Sequence, residues 1–341
     1  MTLSLNPPLS LDRIQAYLGG EDDERLFAAA NAATLAQFGD TVFLRGIIEF
    51  SNHCRNNCHY CGLRSGNREV LRYRLEPDHI LACAQTIADA GIGTVVLQSG
   101  DDWRYRADTI AELITTIKAR HDVAITLSLG DRKPEELRLW REAGADRYLL
   151  KMETFDRELF AQVRPDSDFQ QRLDNLQCLK ALGYQVGCGV ITGLPGMTDA
   201  ILAQDLLTLT ELELDMLACG PYVMHPQTPM AGLPDGDVLQ SLRVTALLRL
   251  MNPGALIPAT SALNALLPSA RDRALQCGAN VVMPSFTPQP VFASYQIYPG
   301  KNDTEALIDQ RLTHLTEELS AIARRPGHCR GDTRRSHHVH R

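Results

Sequence analysis

Three cysteines within eight residues are the feature of this sequence that could most directly do chemistry. Cys54, Cys58 and Cys61 form a C-x3-C-x2-C array in the stretch SNHCRNNCHYCGLRSGN, residues 51–67. Thiolates bind zinc and iron–sulfur clusters. The other six cysteines are scattered singly, which is unlike a secreted disulfide framework and indicates a reducing compartment. The array is therefore predicted to be a metal-binding loop.

The number of thiols in this loop separates the possible sites. A structural zinc ion would need a fourth ligand such as His53 or His59, and zinc ligands usually come as two separated pairs. A disulfide plus a free thiol would be unusual under reducing conditions. An iron–sulfur cluster held by three thiolates leaves one iron open for a substrate or cofactor. We favour the cluster.

Composition excludes several classes of function. The chain has 341 residues, 44% of them hydrophobic, which is enough for a large core. Its formal net charge is −7, so no cationic field favours nucleic acid as a partner. The N-terminal stretch lacks the pattern of a signal peptide, and no segment approaches the ~20 apolar residues of a membrane span. We expect a soluble cytoplasmic protein.

Short apolar or β-branched runs alternate with helical patterns along the chain. After two helices (10–18 and 22–37), strands are predicted at 41–51, 94–98, 123–129, 146–151, 185–191, 214–220, 255–260 and 279–284. Helices are predicted at 76–90, 105–120, 134–143, 168–182, 198–211, 237–251, 263–276 and 303–323. Eight strands, each followed by a helix, predict an α/β fold of the (β/α)8 barrel type. The alternative, a doubly wound open sheet, would need two domains or an unusually wide sheet, and no Pro/Gly/Ser linker divides the chain.

The predicted barrel has extensions at both ends. Residues 1–40 form an N-terminal helical extension, 41–301 the barrel, and 302–323 a C-terminal helix. Residues 324–341, RRPGHCRGDTRRSHHVHR, are basic and lack an apolar face. This segment is predicted to be a mobile tail, although its histidines could bind metal.

The cysteine loop follows the first barrel strand, so it should lie at the barrel mouth where such folds place their chemistry. With Tyr60 just before the last cysteine, the loop resembles the signature of radical S-adenosylmethionine enzymes. The resemblance implies a 4Fe–4S cluster whose open iron binds the amino and carboxylate groups of S-adenosylmethionine. Reductive cleavage of this cofactor would give a 5′-deoxyadenosyl radical.

The similarity extends well beyond the loop. Stretches including TVVLQSGDD, EAGADRYLLKMET, LKALGYQVGCGVITGLPGMT and YQIYPGK, across about residues 40–301, resemble HydE-type maturases of di-iron hydrogenases. Biotin synthase and methylornithine synthase are related families. The resemblance implies a small organometallic substrate, an iron carbonyl cyanide complex carrying cysteine. It also implies ferredoxin or flavodoxin as electron donor, and other hydrogenase maturases as possible partners. No cysteine follows YPGK before Cys329, so no auxiliary cluster is expected.

The resemblance also implies which residues contact S-adenosylmethionine. Ser99, Gly100 and Asp101, in QSGDD, would receive the methionine ammonium. Glu153 would accept the ribose hydroxyls, and Arg172 would meet the methionine carboxylate. The cofactor-binding set is completed by Tyr60 and Gly193. In GLPGMT, Gly193 and Gly196 would let the backbone approach the adenosine, and Thr198 is a possible N-cap.

The substrate pocket is predicted by small hydroxyls and aromatic residues on or just after strands. Its candidates are Thr126, Ser128, Lys151, Met152, Thr260, Ser261, Tyr295 and Tyr298. Lys151 and Met152 stand where the maturases have Arg-His, so the substrate could differ. His225 is either a ligand or proton carrier, or a packed histidine beside its prolines.

Three functions remain open from the sequence. The first is a HydE-type maturase acting on the organometallic complex or a related small substrate. The second is a radical mutase of the methylornithine synthase type. The third belongs to another class: an iron–sulfur carrier that needs the cysteines but not Glu153, Arg172 or the glycine turns.

Overall fold

A parallel sheet of six strands forms most of the barrel in the computed structural model, which describes residues 9–334. The strands are β1 Thr41–Leu44, β2 Gly46–Ser51, β3 Thr94–Ser99, β4 Ala124–Ser128, β5 Arg147–Leu149, β6 Gln185–Thr192, β7 Met216–Pro221, β8 Val281–Val282 and β9 Arg325–Gly327. The six-stranded sheet runs from β2 to β7 in chain order, and each neighbouring pair is parallel.

Two short segments close this sheet into a barrel. Parallel bridges join Met216 to Leu256, Pro258 to Val281 and Ile47 to Ser285, so segments 256–258 and 281–285 complete the ring. Pro258 has no N–H to donate, which limits pairing and explains why the predicted strand 255–260 is reduced to bridges. With six strands and two segments, the predicted (β/α)8 barrel is confirmed.

Helices follow the strands and cover the outside of the barrel. They are α1 Leu11–Leu18, α2 Asp23–Phe38, α3 Pro77–Asp89, α4 Ala107–Arg120, α5 Pro134–Glu142, α6 Arg157–Val163, α7 Phe169–Ala181, α8 Asp199–Glu211, α9 Val238–Met251, α10 Ser261–Leu266, α11 Ala270–Gln276, α12 Gln289–Phe292 and α13 Ile308–Ala321. Thr198 caps α8 as predicted, accepting a 3.2 Å hydrogen bond from Ile201 N. Among the described residues, no helix is long and apolar enough to span a bilayer.

The structure differs from the sequence prediction at several element boundaries. The predicted strand 41–51 is interrupted at Arg45, because β1 pairs with β8 and β9 whereas β2 joins the main sheet. The predicted helix 263–276 is broken into α10 and α11 at Pro268 and Ser269, where Ser269 has φ 63°. Helices α6 and α12 were not predicted.

The C-terminal segment is not the mobile tail that its composition predicts, at least for residues 325–334. Strand β9 pairs with β1 in parallel, and the chain then crosses the amino-terminal end of the barrel. The guanidinium of the fully buried Arg147 donates to the Arg330 carbonyl and to Asp332 Oδ1, both at 2.6 Å. We call residues 325–334 the C-terminal strap. Residues 335–341, with the histidines considered as metal ligands, lie outside the described residues.

Candidate active site

A cavity of about 400 Å³ fills the barrel interior and reaches the carboxyl ends of the strands. The sequence-predicted residues on its wall are Cys54, Cys58, Tyr60, Cys61, Ser99, Gly100, Asp101, Thr126, Ser128, Lys151, Glu153, Arg172, Thr260, Ser261, Tyr295 and Tyr298. The fold thus brings residues from seven separate segments to one space. A largely apolar barrel cavity that carries a few polar side chains is suited to binding a small ligand away from bulk water.

The cysteine loop follows β2 and is docked onto distant parts of the chain by backbone hydrogen bonds. His59 N donates to Val163 O, and Gly62 N donates to Ile297 O, both at 2.9 Å. Asp101 N donates to Cys54 Sγ at 3.4 Å. Each contact holds a different part of the loop, so the three thiols face the cavity from a fixed frame.

The environment of these thiols suits them to binding a cluster. Burial, followed by the charge of Cys58, raises the pKa of the Cys54 thiol, and burial followed by the charges of Cys58 and Cys54 raises that of Cys61. An iron–sulfur cluster binds thiolates directly and would replace those protons with positive charge. Within residues 9–334, no group of three or more His, Cys, Asp or Glu side chains is arranged to hold a single metal ion. Cluster thiolates bind different iron atoms, so they need not converge on one point.

Asp101 presents an unpaired carboxylate oxygen beside the cysteine loop. Its Oδ2 accepts from Arg55 Nε and Asn56 Nδ2, both at 3.0 Å. Its Oδ1 is buried and has no hydrogen-bond partner in the described part of the chain. A buried acceptor left open costs free energy unless a ligand occupies it. An ammonium group would suit this atom, which agrees with the role expected for Asp101.

Glu153 lies at the centre of a buried charge network on the same wall. Its backbone is in the left-handed region, with φ 73°, which is unusual for any residue other than glycine. Tyr60 OH donates to Glu153 Oε1 at 3.4 Å and accepts from Arg164 NH1 at 2.7 Å. Lys151 Nζ lies 2.8 Å from Glu153 Oε2, outside hydrogen-bonding geometry, so this contact is an ion pair.

Arg172 faces the cavity from the first turns of α7 and is already held by neighbouring groups. Its NH1 donates to Asp131 Oδ2 at 2.5 Å, and its Nε donates to the Lys151 carbonyl at 2.8 Å. Asn175 bonds the other oxygen of Asp131 at 3.1 Å. These contacts fix the plane of the guanidinium, which suits recognition of a planar anion.

Two predicted site residues lie off the cavity wall. Met152 is fully buried in the core between the barrel and its helices, whereas Lys151 and Glu153 on either side of it line the cavity. Gly193, with φ 70°, packs against Gly236: a Cβ there would lie 2.6 Å from Gly236 Cα. A glycine at position 193 therefore allows two loops to pack closely. Of the two departures from the maturase pattern, Lys151 and Met152, only Lys151 faces the cavity.

His225 is buried against the cysteine loop and is absent from the cavity wall. Its Nδ1 accepts from Gln227 N at 3.1 Å, and burial lowers its pKa. The missing Cβ of Gly62 would lie 2.5 Å from His225 Nε2. The structure thus favours the packed histidine over the ligand.

Sequence reasoning missed two cations on the wall. Arg164 is buried beside Tyr60, and although burial opposes its charge, Tyr60, Cys58 and Glu153 raise its pKa. Lys301 pairs with the fully buried Glu49, its Nζ 3.0 Å from Oε1. Lys301 ends the stretch YQIYPGK, which carries part of the family resemblance, and Arg164 lies outside the stretches quoted above. Only the fold shows which carboxylates and thiols they meet.

A comparison with family models finds one match, to the Radical SAM superfamily, over residues 48–209. That range begins in β2 and ends in α8, so it includes the cysteine loop, Asp101, Glu153 and Arg172.

Curated relatives match over most of the chain. The [FeFe] hydrogenase maturase subunit HydE of Thermotoga maritima is 43% identical over 92% of this chain and 90% of its own length. The 3-methylornithine synthase of Methanosarcina barkeri is 32% identical over 89% of this chain and 83% of its own length.

Solved structures share the fold. The crystal structure of methylornithine synthase (PylB) superposes with a TM-score of 0.83 at 29% identity, over 94% of both chains. The maturase HydG from Carboxydothermus hydrogenoformans superposes with a TM-score of 0.75 at 20% identity, over 94% of this chain and 76% of that one. At that identity the HydG comparison supports the fold alone.

Proposed function

This chain belongs to the radical SAM superfamily, and we propose that it is a HydE-type maturase whose cluster is bound by Cys54, Cys58 and Cys61. It is a radical SAM enzyme, and members of this superfamily use a 4Fe–4S cluster with S-adenosylmethionine. The observation that carries the site assignment is the placement of three thiols beside a buried, unpaired carboxylate oxygen on one cavity wall. A carrier that only stores clusters would have no use for that oxygen.

A 4Fe–4S cluster held by the three thiolates would supply one electron for reductive cleavage of the sulfonium, giving methionine and a 5′-deoxyadenosyl radical. Asp101 Oδ1 accepts a hydrogen bond from the methionine ammonium, and the guanidinium of Arg172 pairs with the methionine carboxylate. Glu153 accepts hydrogen bonds from the ribose hydroxyls through the carboxylate that Lys151 Nζ contacts at 2.8 Å. These residues orient the cofactor, while the barrel excludes water and stray hydrogen donors from the radical.

The substrate binds in the same cavity as the cofactor. Polar groups there are already ordered: Ser261 and Tyr298 share a 2.6 Å hydrogen bond, and Gln98 donates to Tyr295 OH at 3.0 Å. Small hydroxyls and two lysines suit a small polar or anionic molecule. We infer the organometallic cysteine complex implied by the maturase resemblance, with Lys151 taking the place of an arginine in its recognition.

The charge around the cysteine loop supports an acidic electron donor. Residues 52–76 contain five arginines and two glutamates, although the whole chain has a net charge of −7. Leu71 is 76% exposed and Trp103 45% exposed near this basic segment, with Arg55 stacked on Trp103. A small acidic carrier such as ferredoxin or flavodoxin fits such a surface. We place the protein in the cytoplasm, where such donors and other maturases would be available.

A second candidate is a mutase of the methylornithine synthase type, favoured by the 94% mutual coverage at a TM-score of 0.83. Incubation with lysine separates the two functions. Formation of methylornithine would support the mutase and contradict the maturase.

The test of the proposed site is reductive cleavage of S-adenosylmethionine. Anaerobically reconstituted protein, given dithionite, should bind four irons per chain and release 5′-deoxyadenosine. Cys54→Ser, Cys58→Ser and Cys61→Ser should each abolish both properties, whereas Cys178→Ser, a half-exposed thiol of α7, should retain them. An intact cluster that yields no 5′-deoxyadenosine would overturn the enzyme assignment in favour of the carrier.

A further inference from the structure

A buried carboxyl group outside the cavity holds the segment that carries Glu153. Asp205 lies in α8, is 1% exposed and accepts a 2.7 Å hydrogen bond from Phe155 N. The Thr154 hydroxyl lies close enough to lower the pKa of this carboxyl group, whereas Asp205 Oδ2 is buried and has no hydrogen-bond partner within residues 9–334. The other buried side chains of α8 are Leu202, Ala203, Leu206 and Leu209, so a carboxyl group at this place is an exception. Because burying it is costly, a specific task for it is expected.

The segment that Asp205 holds begins at a strained residue. Glu153 is in the left-handed region, which is unfavourable for such a residue and persists only when its surroundings enforce it. Backbone bonds of 3.0 Å to Gly189 and Ile191 fix Glu153 against β6 on one side. Asp205 fixes the next two residues on the other. The carboxylate of Glu153 is thereby aimed into the cavity rather than along the strand.

The same anchor reaches the cysteine loop. The Thr154 hydroxyl accepts from Asp156 N at 3.1 Å, and Asp156 caps α6 by accepting from Leu159 N at 2.8 Å. At the other end of α6, Val163 O and the Arg164 guanidinium hold the loop through His59 and Tyr60. One buried carboxyl group therefore supports both the Glu153 turn and the helix on which the cysteine loop rests.

We propose that Asp205 is a positioning residue for S-adenosylmethionine, which it serves by holding residues 153–156 so that Glu153 meets the cofactor. This inference rests on the proposed function, in which Glu153 binds the ribose. Asp205 touches neither the cofactor nor the cysteines, and it acts only through Thr154 and Phe155. Burial raises the pKa of its carboxyl group to about 7, although the contacts with Phe155 N and Thr154 act in the opposite direction. The protein thus retains an acidic residue at this position despite the cost of burying it.

The experiment measures S-adenosylmethionine affinity by equilibrium dialysis on cluster-loaded protein of equal iron content. Asp205→Ala removes the acceptor of the Phe155 N hydrogen bond and should weaken binding at least about fivefold, the equivalent of one lost buried hydrogen bond. Asp205→Asn keeps an acceptor oxygen for Phe155 N and should stay within about twofold of wild type. The matched control is Asp215→Ala, which removes an equally buried carboxyl group that accepts from Val186 N at 2.8 Å.

Each outcome decides one claim. Asp215→Ala should lower the melting temperature as Asp205→Ala does, yet leave the affinity unchanged. Equal affinities for the two alanine variants would reduce Asp205 to a structural residue and overturn the inference. Glu153→Ala, measured alongside, tests the underlying assignment: an unchanged affinity there would overturn the role of Glu153 itself. A loss in Glu153→Ala with none in Asp205→Ala would refute the positioning role alone.

Discussion

Arg164 is a buried residue for which the sequence pattern predicts no role. The fold places its guanidinium beside the thiols. Its NH1 donates to Tyr60 OH, whereas its Nε is buried and has no hydrogen-bond partner in residues 9–334. Its positive charge interacts with Cys58. It also acts on Cys61, although burial and the other two cysteines affect that thiol more strongly. A fixed positive charge at this place should stabilise the reduced, more negative state of a bound cluster.

Replacing Arg164 with methionine should therefore make the reduction potential of the cluster more negative, while Arg164→Lys should recover most of the difference. The measurement is a redox titration followed by electron paramagnetic resonance, at iron content matched to wild type. The surface variant Arg157→Met, on the same helix, serves as control. A potential that is identical in all four proteins would exclude an electrostatic role for Arg164.

Asp205 also makes stability depend on pH with a defined sign. Its pKa is raised to about 7 in the folded chain, whereas an unfolded aspartate titrates near ~3.9. Between these values the folded state holds more protons, so stability is highest at low pH and falls as pH rises, by up to about 1.4 kcal/mol per unit. Above about pH 7 this contribution is constant.

The wild-type melting temperature should therefore decrease, relative to Asp205→Asn, as pH is raised from 5 to 7.5. Thermal unfolding in a series of buffers measures this difference, and the asparagine variant cancels every other titrating group. Parallel curves for the two proteins across this interval would show that Asp205 is ionised throughout.

At the scale of single residues, the sequence predicted what depends on residue type and spacing alone. The cysteine array, Asp101 and Glu153 stand directly after strands, and strand ends meet at the barrel mouth. The positions of Arg164, Lys301 and Asp205 could not be predicted, since their partners are between about 50 and 250 residues away in the chain. Met152 was misplaced because its side chain packs into the core between the barrel and its helices, a contact that the sequence pattern does not show.

At the scale of elements, the cysteine loop depends on close backbone packing that a glycine allows. A Cβ on Gly62 would lie 2.3 Å from the Gln296 carbonyl and 2.5 Å from His225 Nε2. Such an approach to backbone is not tolerated, so Gly62→Ala must push the loop away from segment 296–297. The three thiols would then no longer share one frame.

Gly62→Ala should accordingly fold with nearly normal circular dichroism but bind much less iron on anaerobic reconstitution. Gly19→Ala, whose added Cβ meets only ordinary 3.5 Å contacts, provides the matched substitution. Iron and sulfide analysis per chain gives the result. Full cluster content in Gly62→Ala would mean that the loop tolerates a shift at its last turn.

Whether a segment is a helix or a strand can be predicted from its hydrophobic periodicity. Where the segment begins and ends depends on tertiary pairing, which the sequence pattern does not show. Helix α6 has only seven residues and lies in a stretch without a repeated apolar pattern, so no sequence signal predicted it. Segment 255–260 reads as a strand but pairs only through bridges around Pro258. The eighth strand has two paired residues, too few to be bounded from sequence.

At the scale of the whole molecule, the strap closes the end of the barrel opposite the cysteine loop. It rests on residues at the amino ends of β3 and β5: Thr94 Oγ1 donates to the Arg330 carbonyl at 2.9 Å, and Arg147 binds both Arg330 and Asp332. Composition predicted a solvated tail here because charged residues without an apolar face normally stay in water. The buried Arg147 reverses this expectation, since it supplies a partner for those polar groups inside the fold.

Removing residues 325–341 should therefore destabilise the barrel by roughly 3–5 kcal/mol, the cost of leaving a buried charge unpaired. Removing only residues 335–341 should have little effect on the melting temperature, since the strap stays in place. Arg147→Met in the longer truncation should restore part of the lost stability, because the methionine needs no partner at the barrel floor. If both truncated chains melted together, Arg147 would have to be satisfied without Asp332, and the strap would be a dispensable cover rather than part of the barrel.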